Sequence, residues 1–302
     1  MAKAVFQLKP ESIYDDLPEE RYHFPQMYFN DVNQSIGDLI IYYEPSRLGK
    51  SRSRKGGRSS YFAVAQIAEV IKDLRIPNHY YAIIKSGSYL EFPEAVPFRE
   101  GSFFYESKLR KKDGTLNKGA SGRSVRCIPD NEFDLILKRA FGKTINASET
   151  TEDIESYLVF EEVKETYDRP FADCVISKPF RDQAFRDVIR KAYNSTCAIT
   201  GMKIINGHGN CEIDAAHIKP VSHFGPDSPR NGIALSKTIH WLFDRGLMSL
   251  EDDGRFLLAD KYIPNEVKVL MNRDSYARLP ELPQFRPHVT YLHFHREHIF
   301  IG

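Results

Sequence analysis

The chain has 302 residues, enough for one large domain or two ordinary ones. Apolar residues make up 41% and charged residues 27%, and 18 Gly with 17 Pro are too few for a fibrous or unstructured chain. Lys+Arg 42 against Asp+Glu 41 leaves a formal net charge of +1, so attraction to a polyanion must come from local patches. No apolar run approaches the roughly 20 residues of a membrane span, and the opening MAKAVFQLKPESIYDD lacks the apolar core of a signal peptide. The four cysteines, Cys127, Cys174, Cys197 and Cys211, contain no CxxC pair and do not make a disulfide scaffold. The expectation is a cytoplasmic protein of two domains with no membrane partner.

From about residue 24 to 141, short apolar runs are broken by Gly, Pro and Ser. Residues 38–43 (DLIIYY), 61–70 (YFAVAQIAEV), 80–84 and 89–92 read as strands, rich in aromatic and β-branched side chains. They suggest a small, mostly β barrel. Residues 131–141 (NEFDLILKRAF) read as a helix, with Phe133, Ile136, Leu137 and Phe141 at helical spacing. Residues 143–164 are acidic and Ser/Thr-rich and are taken as the linker, which divides the chain into domains 1–155 and 156–302.

The second domain opens on a helix over 182–193, where Phe185, Val188, Ile189 and Tyr193 recur at helical spacing and Asp182 is the N-cap. A turn at 197–201 leads to a strand over 211–218 that ends at Pro220. A loop then reaches a strand over 231–235, and Ser236 caps a helix over 237–244 stopped by Gly246. This is a unit of two strands and a helix. The last residues, 283–302, alternate His with Leu and Phe and read as a terminal strand rather than a metal site of His293, His295 and His298.

The polar residues of that unit are Asp214, His217, His223, Asn231, His240 and Asp244. His240 and Asp244 are four apart on one helix, so they share a face that can reach one ion. His217 ends the preceding strand, and Asn231 lies in the loop, where its amide can hold backbone groups. An imidazole with carboxylates, Asp214 or Asp244, suits a divalent ion, Mg²⁺, Mn²⁺ or Zn²⁺, with an open position. A second, unligated imidazole can then take a proton from water. His223 is expected to face solvent.

The stretch CAITG…DAAHIKPVSHFGPDSPRNGIALSKTIHWLFDRGLMSL, residues 197–250, resembles the HNH nuclease domain with its ββα-metal fold. The naming residues fall on His217, Asn231 and His240, at the family's steps of 14 and 9 positions, and LFDRG is similar to the restriction-associated branch. The resemblance implies that His217 is the general base, His240 a metal ligand and Asn231 the loop holder. Members often carry a metal-binding residue just before the base, where this chain has Ala216; Asp214 or Asp244 then supplies the ligand, with Asp244 preferred on helical geometry. Cys197 and Cys211 lack CxxC partners and are read as buried packing residues without a zinc knuckle.

The first domain is expected to be the reader. Residues 47–58 hold six basic residues and no acidic one, Arg47, Lys50, Arg52, Arg54, Lys55 and Arg58, and residues 108–126 hold seven basic and one acidic, Asp113. Both are expected to be flexible loops contacting the DNA backbone. Tyr28, Phe29, Tyr42, Tyr43 and Tyr61 are candidates for a pocket that stacks a flipped base. The segments FPQMYFNDVNQSIGDLIIYYEPSR and GRSSYFAVAQIAEV resemble the PUA-like superfamily, in particular EVE-type domains that bind modified bases. The resemblance implies an α+β protein, a PUA-like reader followed by an HNH domain. Such a protein would cut double-stranded DNA containing 5-methylcytosine, 5-hydroxymethylcytosine or its glucosylated form, restricting foreign DNA. A homodimer is expected, since one HNH site cuts one strand; a nicking monomer is the milder version. Two further readings fit these residues: an HNH nuclease without modification dependence, and a modified-base binding protein with a degenerate HNH unit.

Overall fold

The computed structural model describes residues 2–9, 14–46, 57–147 and 177–302. They fall into two compact units, Met1–Ala184 and Phe185–Gly302. The expected boundary at 155–156 lies outside the described residues, as does most of the acidic stretch 143–164.

The first unit is built on β1 (Ala4–Gln7), β2 (Arg21–Pro25), β3 (Leu39–Glu44), β4 (Ser60–Lys72), β5 (His79–Ile84) and β6 (Leu90–Pro97). A two-residue ladder follows, β7 (Arg99–Glu100) and β8 (Phe103–Phe104), and β9 (Val125–Cys127) closes the strand list of this unit. The large sheet has seven strands in the order β2-β5-β4-β3-β1-β9, with β6 also on β4. The expected strands are all present, and β1, β2 and β9 were not legible as strands. The closed barrel is not found. β4 runs for 13 residues; its first half lies between β3 and β6, whereas its second half pairs with β5. The sheet therefore branches at β4, and no pairing among the described residues joins β2 to β9.

Both faces of this sheet are covered, which is why β3 reads as an unbroken apolar run. Strand alternation sends Leu39 and Ile41 to one core, with Val5, Tyr61, Phe92 and Phe133. Ile40 and Tyr42 go to the other, with Phe6, Tyr22, Phe24 and Phe62. A register shift between Tyr42 and Tyr43 makes Phe62 the extra residue of β4, so that Phe62 and Ala63 both face the second core while Tyr61 and Val64 face the first. The helix Asp130–Ala147 lies against the first of these through Phe133, Ile136, Leu137 and Phe141, the residues its spacing predicted.

Ions are buried in the same unit. Glu106 accepts from Arg126 through Nε (2.7 Å) and Nη2 (2.7 Å) and from the Tyr61 hydroxyl (2.8 Å). Arg58, grouped by sequence with the phosphate-binding run, is instead a structural cation. Its Nε donates to Glu44 and its Nη1 to Glu91, each at 2.8 Å, while its guanidinium lies 4.3 Å from the Phe62 ring centre. Both carboxylates are almost wholly buried, and two such charges cannot stay ionised there without a cation. Arg47, Lys50, Arg52, Arg54 and Lys55 lie outside the described residues. The second basic stretch is ordered rather than flexible: Asn117 caps a turn of helix at Lys118–Ser121, and Lys111 N–H bonds Thr115 O at 2.8 Å.

The second unit holds the later part of the helix Lys178–Ala192, which starts ahead of the expected position, so that Asp182 is inside it and not its cap. β10 (Asp214–His217) and β11 (Gly232–Leu235) pair antiparallel, with His217 opposite Gly232 and Asp214 opposite Leu235. The helix Lys237–Asp244 has its predicted bounds. Ser236 is its N-cap position, but the first N–H is taken by the Glu212 carboxylate at 3.0 Å. β12 (Met248–Leu250) and β13 (Phe256–Leu258) form a further ladder. The expected terminal strand is a helix, Val289–His298. Its buried residues, Tyr291, Leu292 and His295, follow a helical period that the His alternation masked. Among the described residues, no helix is long and apolar enough to cross a membrane.

Two predictions come from these buried ions and rings. Arg58→Met strands two carboxylates in the sheet, and urea unfolding is expected to read a loss of roughly 3–5 kcal/mol; a loss under about 1 kcal/mol contradicts the network. His295 is 1% exposed, stacks on Phe243 with centroids 3.9 Å apart, and burial pushes its pKa down from 6.5 to about 4. The folded ring is neutral, so below the unfolded pKa the unfolded chain binds the extra proton. The stability that His295 contributes is complete above pH 6.5 and falls as pH drops from 6.5 toward 4. At about pH 5.5 the loss is on the order of 1 kcal/mol, and His295→Asn is expected to flatten that pH slope in thermal unfolding.

Candidate active site

The segment between β10 and β11 is fixed by one buried amide. Asn231 has no exposed surface. Its Oδ1 accepts from Lys219 N–H at 2.8 Å, and its Nδ2 donates to Lys219 O and to Pro226 O, each at 3.0 Å. Lys219 lies two residues beyond His217, and Pro226 immediately precedes Asp227. One side chain thus ties both ends of the loop together. Gly225 is required by this closure, because a Cβ there would stand 1.8 Å from Lys219 O and 2.8 Å from Asn231 Nδ2.

His217 is held at the end of β10 by two contacts. Its Nε2 lies 2.9 Å from Asp227 Oδ1, and its ring stacks on Phe185 with centroids 4.0 Å apart and planes 13° from parallel. The His217 side chain is 19% exposed and the Asp227 side chain 11%. Gly232, opposite His217 across the ladder, keeps Phe185 in place: a Cβ at Gly232 would meet the Phe185 ring at 2.9 Å and Ile189 Cδ1 at 2.3 Å.

His240 projects from the helix between two carboxylates. Asp214 Oδ2 is 3.3 Å from its Nδ1, and Asp244 Oδ2 is 3.3 Å from its Nε2. The two nitrogens of one imidazole point away from each other, so Asp214 and Asp244 cannot both share a single ion with His240. Among the described residues, no group of three or more His, Cys, Asp or Glu side chains is gathered around a point that would hold a metal. Ala216, the position before His217, is core, with no exposed surface. Cys197 is buried in the same core and Cys211 packs against it, as their spacing suggested. His223 is exposed.

The five aromatic candidates of the first unit do not converge. Tyr42 has no exposed surface and is ringed by Phe6, Tyr22, Phe62 and Tyr89. Tyr61, equally buried, belongs to the opposite face and is committed to Glu106. Both are core residues, which removes them from a base pocket. Tyr28 is buried, with its hydroxyl accepting from Ser124 N–H at 3.1 Å. Phe29 packs on Tyr80, and the half-buried Tyr43 rests against Tyr61 with the Arg126 guanidinium 5.3 Å from its ring centre. Burial pushes the Tyr43 hydroxyl pKa up to about 12.

Sequence reasoning missed Asp227 and Phe185 as neighbours of His217. The signal for Asp227 was its place four residues ahead of Asn231 in a Pro-bounded turn, GPDSPRN; Phe185 was read only as a core residue of its helix.

No curated protein sequence matches the chain. Among solved structures, the chain is similar to a modification-dependent TagI restriction endonuclease at 14% identity and a TM-score of 0.31, covering 98% of this chain and 81% of that one. A second similarity is to the Type IV phosphorothioation-dependent restriction endonuclease ScoMcrA, at 13% identity and a TM-score of 0.19, covering 80% of this chain and 49% of that one. The family model described as HNH endonuclease matches residues 197–251, the segment that carries His217, Asn231 and His240. That segment is an HNH endonuclease domain.

Proposed function

We propose that the chain is a metal-dependent endodeoxyribonuclease that cleaves DNA containing modified cytosine and so restricts foreign DNA. The observation that carries the nuclease half is the Asn231 closure, which holds His217 at a strand end on the HNH segment while His240 stands beside Asp214. The modified-cytosine half rests on the likeness of the first domain's sequence to EVE-type readers.

The donor set fits a divalent ion. Asp214 Oδ2 and His240 Nδ1 are 3.3 Å apart, close to the roughly 3 Å between neighbouring donors in an octahedral shell with bonds of about 2.1 Å. Asp214 and His240 would hold the ion, and Asp244, on the other ring nitrogen, would orient the imidazole. Asp214 is favoured over Asp244 because its strand position is fixed by pairing with Leu235. When bound, Mg²⁺ or Mn²⁺ offsets negative charge on the phosphoryl group; Zn²⁺ suits the same pair. His217 takes the proton from the attacking water, the water oxygen bonds to phosphorus, and the P–O bond to the leaving sugar breaks. Asn231 touches no reacting atom in this scheme and acts by holding the loop.

DNA backbone contact is assigned to exposed cations of the ordered turn, Arg110, Lys111, Lys112 and Lys118, together with the run 47–55. A homodimer would place two such sites on two strands.

The deciding experiment presents three matched duplexes, carrying cytosine, 5-methylcytosine or glucosylated 5-hydroxymethylcytosine, with Mg²⁺ or Mn²⁺ and with EDTA. Cutting confined to modified DNA and abolished by EDTA is expected, and His217→Ala is expected to lower the rate by about 100-fold or more with binding unchanged. Equal cutting of all three removes the modified-base reader; binding of modified DNA without cutting points to a degenerate HNH unit. Replacing Lys111, Lys112 and Lys118 by Ala is expected to make the dependence of log affinity on log salt shallower, by about 1 for each phosphate that is no longer neutralised. An unaltered slope returns that turn to an ordinary surface.

A further inference from the structure

We infer that Asp227 is the positioning residue of this site: it holds His217 as the Nε2–H tautomer and so leaves Nδ1 as the atom that receives the water proton. The inference rests on the nuclease reading for its consequence, but the juxtaposition stands by itself. Asp227 Oδ1 lies 2.9 Å from His217 Nε2, and the Asp227 side chain is 11% exposed. An ionised carboxylate only accepts hydrogen bonds, so the proton between these atoms belongs on Nε2. A neutral imidazole has one N–H, and the other nitrogen is then an unprotonated acceptor. No described residue bonds His217 Nδ1, and the side chain keeps 19% of its surface open. The only proton-accepting nitrogen of the ring is therefore the one that water can reach.

Rotation of the ring would undo this arrangement, and two further features oppose it. Phe185 covers one face of the imidazole at 4.0 Å, and a half-turn about the Cβ–Cγ bond would carry the Nε2–H away from Asp227. Asp227 in turn cannot drift, because Asn231 Nδ2 holds the carbonyl of the preceding Pro226 at 3.0 Å. Asn231 and Asp227 thus form one device. The amide closes the loop, and the loop delivers a carboxylate to the back of the base. The logic is that of an orienting acid behind a catalytic histidine, in which the carboxylate fixes ring and tautomer and stabilises the imidazolium once the proton has arrived.

The test reads the ring directly and does not depend on cleavage. In the full chain labelled with ¹⁵N-histidine at about pH 8, His217 is expected to give an acceptor-type Nδ1 and a protonated Nε2. In Asp227→Asn the side-chain amide can donate to Nε2, so the Nδ1–H tautomer is expected to appear. On 5-methylcytosine-substituted plasmid with Mn²⁺, single-turnover cutting by Asp227→Asn is expected to fall by about 10-fold or more, and Asp227→Glu is expected to recover part of it with the wild-type tautomer. An Nδ1–H ring in the wild type overturns the inference without any variant, which covers the case of a variant that does not fold. Unchanged ring spectra in Asp227→Asn, or cutting within about twofold of wild type, overturn it as well. The expected spectra in a chain that cuts no DNA support the positioning role and count against the nuclease reading alone.

Discussion

A single carboxamide with no exposed surface organises the HNH segment. Asn231 uses its oxygen and both amide hydrogens on three backbone groups, Lys219 N–H, Lys219 O and Pro226 O. No other neutral side chain of that size offers an acceptor and two donors together. Replacing it leaves buried backbone groups without partners, each costing about 1–3 kcal/mol, and frees the loop that separates His217 from Asp227. Around that closure the remaining requirements are steric. Gly225 must lack a Cβ for the loop to approach the amide, and Gly232 must lack one for Phe185 to reach the imidazole. Chemistry and packing at this site are therefore the same constraint seen from two sides.

The first unit solves a different problem. Its sheet is apolar on both faces, and its buried tyrosines need partners for their hydroxyls. Glu106 takes the hydroxyl of Tyr61, while Glu91 takes that of Tyr89, and Arg126 and Arg58 neutralise the two carboxylates. Arginine suits this task because its planar fork can bond one carboxylate twice or two carboxylates at once. Polar networks of this kind are stable only when complete. That is why basic residues at the ends of sequence runs that look like nucleic-acid loops are spent inside the unit.

Legibility of the sequence followed the range of the interactions. The helix Lys237–Asp244, the strands β3, β4 and β5 and the core face of Asp130–Ala147 are set by local period and caps, and they read directly from the residues. His217, Asn231 and His240 were singled out through motif spacing, and Asp214 and Asp244 beside His240 with them, whereas the neighbours of His217 were not. Asp227 and Phe185 meet His217 across 10 and 32 positions of chain, distances over which periodicity carries no information. The branching of β4 was equally hidden, since a strand that changes neighbours halfway looks the same in sequence as one that does not. In the tail, His293, His295 and His298 gave a false period of two, whereas burial follows Tyr291, Leu292 and His295. Aromatic pairs were ambiguous for a related reason: in a sheet covered on both sides, neither member of Tyr42–Tyr43 or Tyr61–Phe62 is left facing solvent.

The ring contact between Phe185 and His217 bears on what a minimal unit would be. The family match begins at residue 197, twelve positions after the phenylalanine that lies flat on the histidine. His295, which stacks on Phe243 of the helix Lys237–Asp244, lies well past its end at 251. A fragment cut to the borders of the motif would keep every residue that names it and lose the aromatic surfaces on either side. Transplanting this HNH domain into another protein therefore requires a module that begins before Phe185 and runs through the terminal helix.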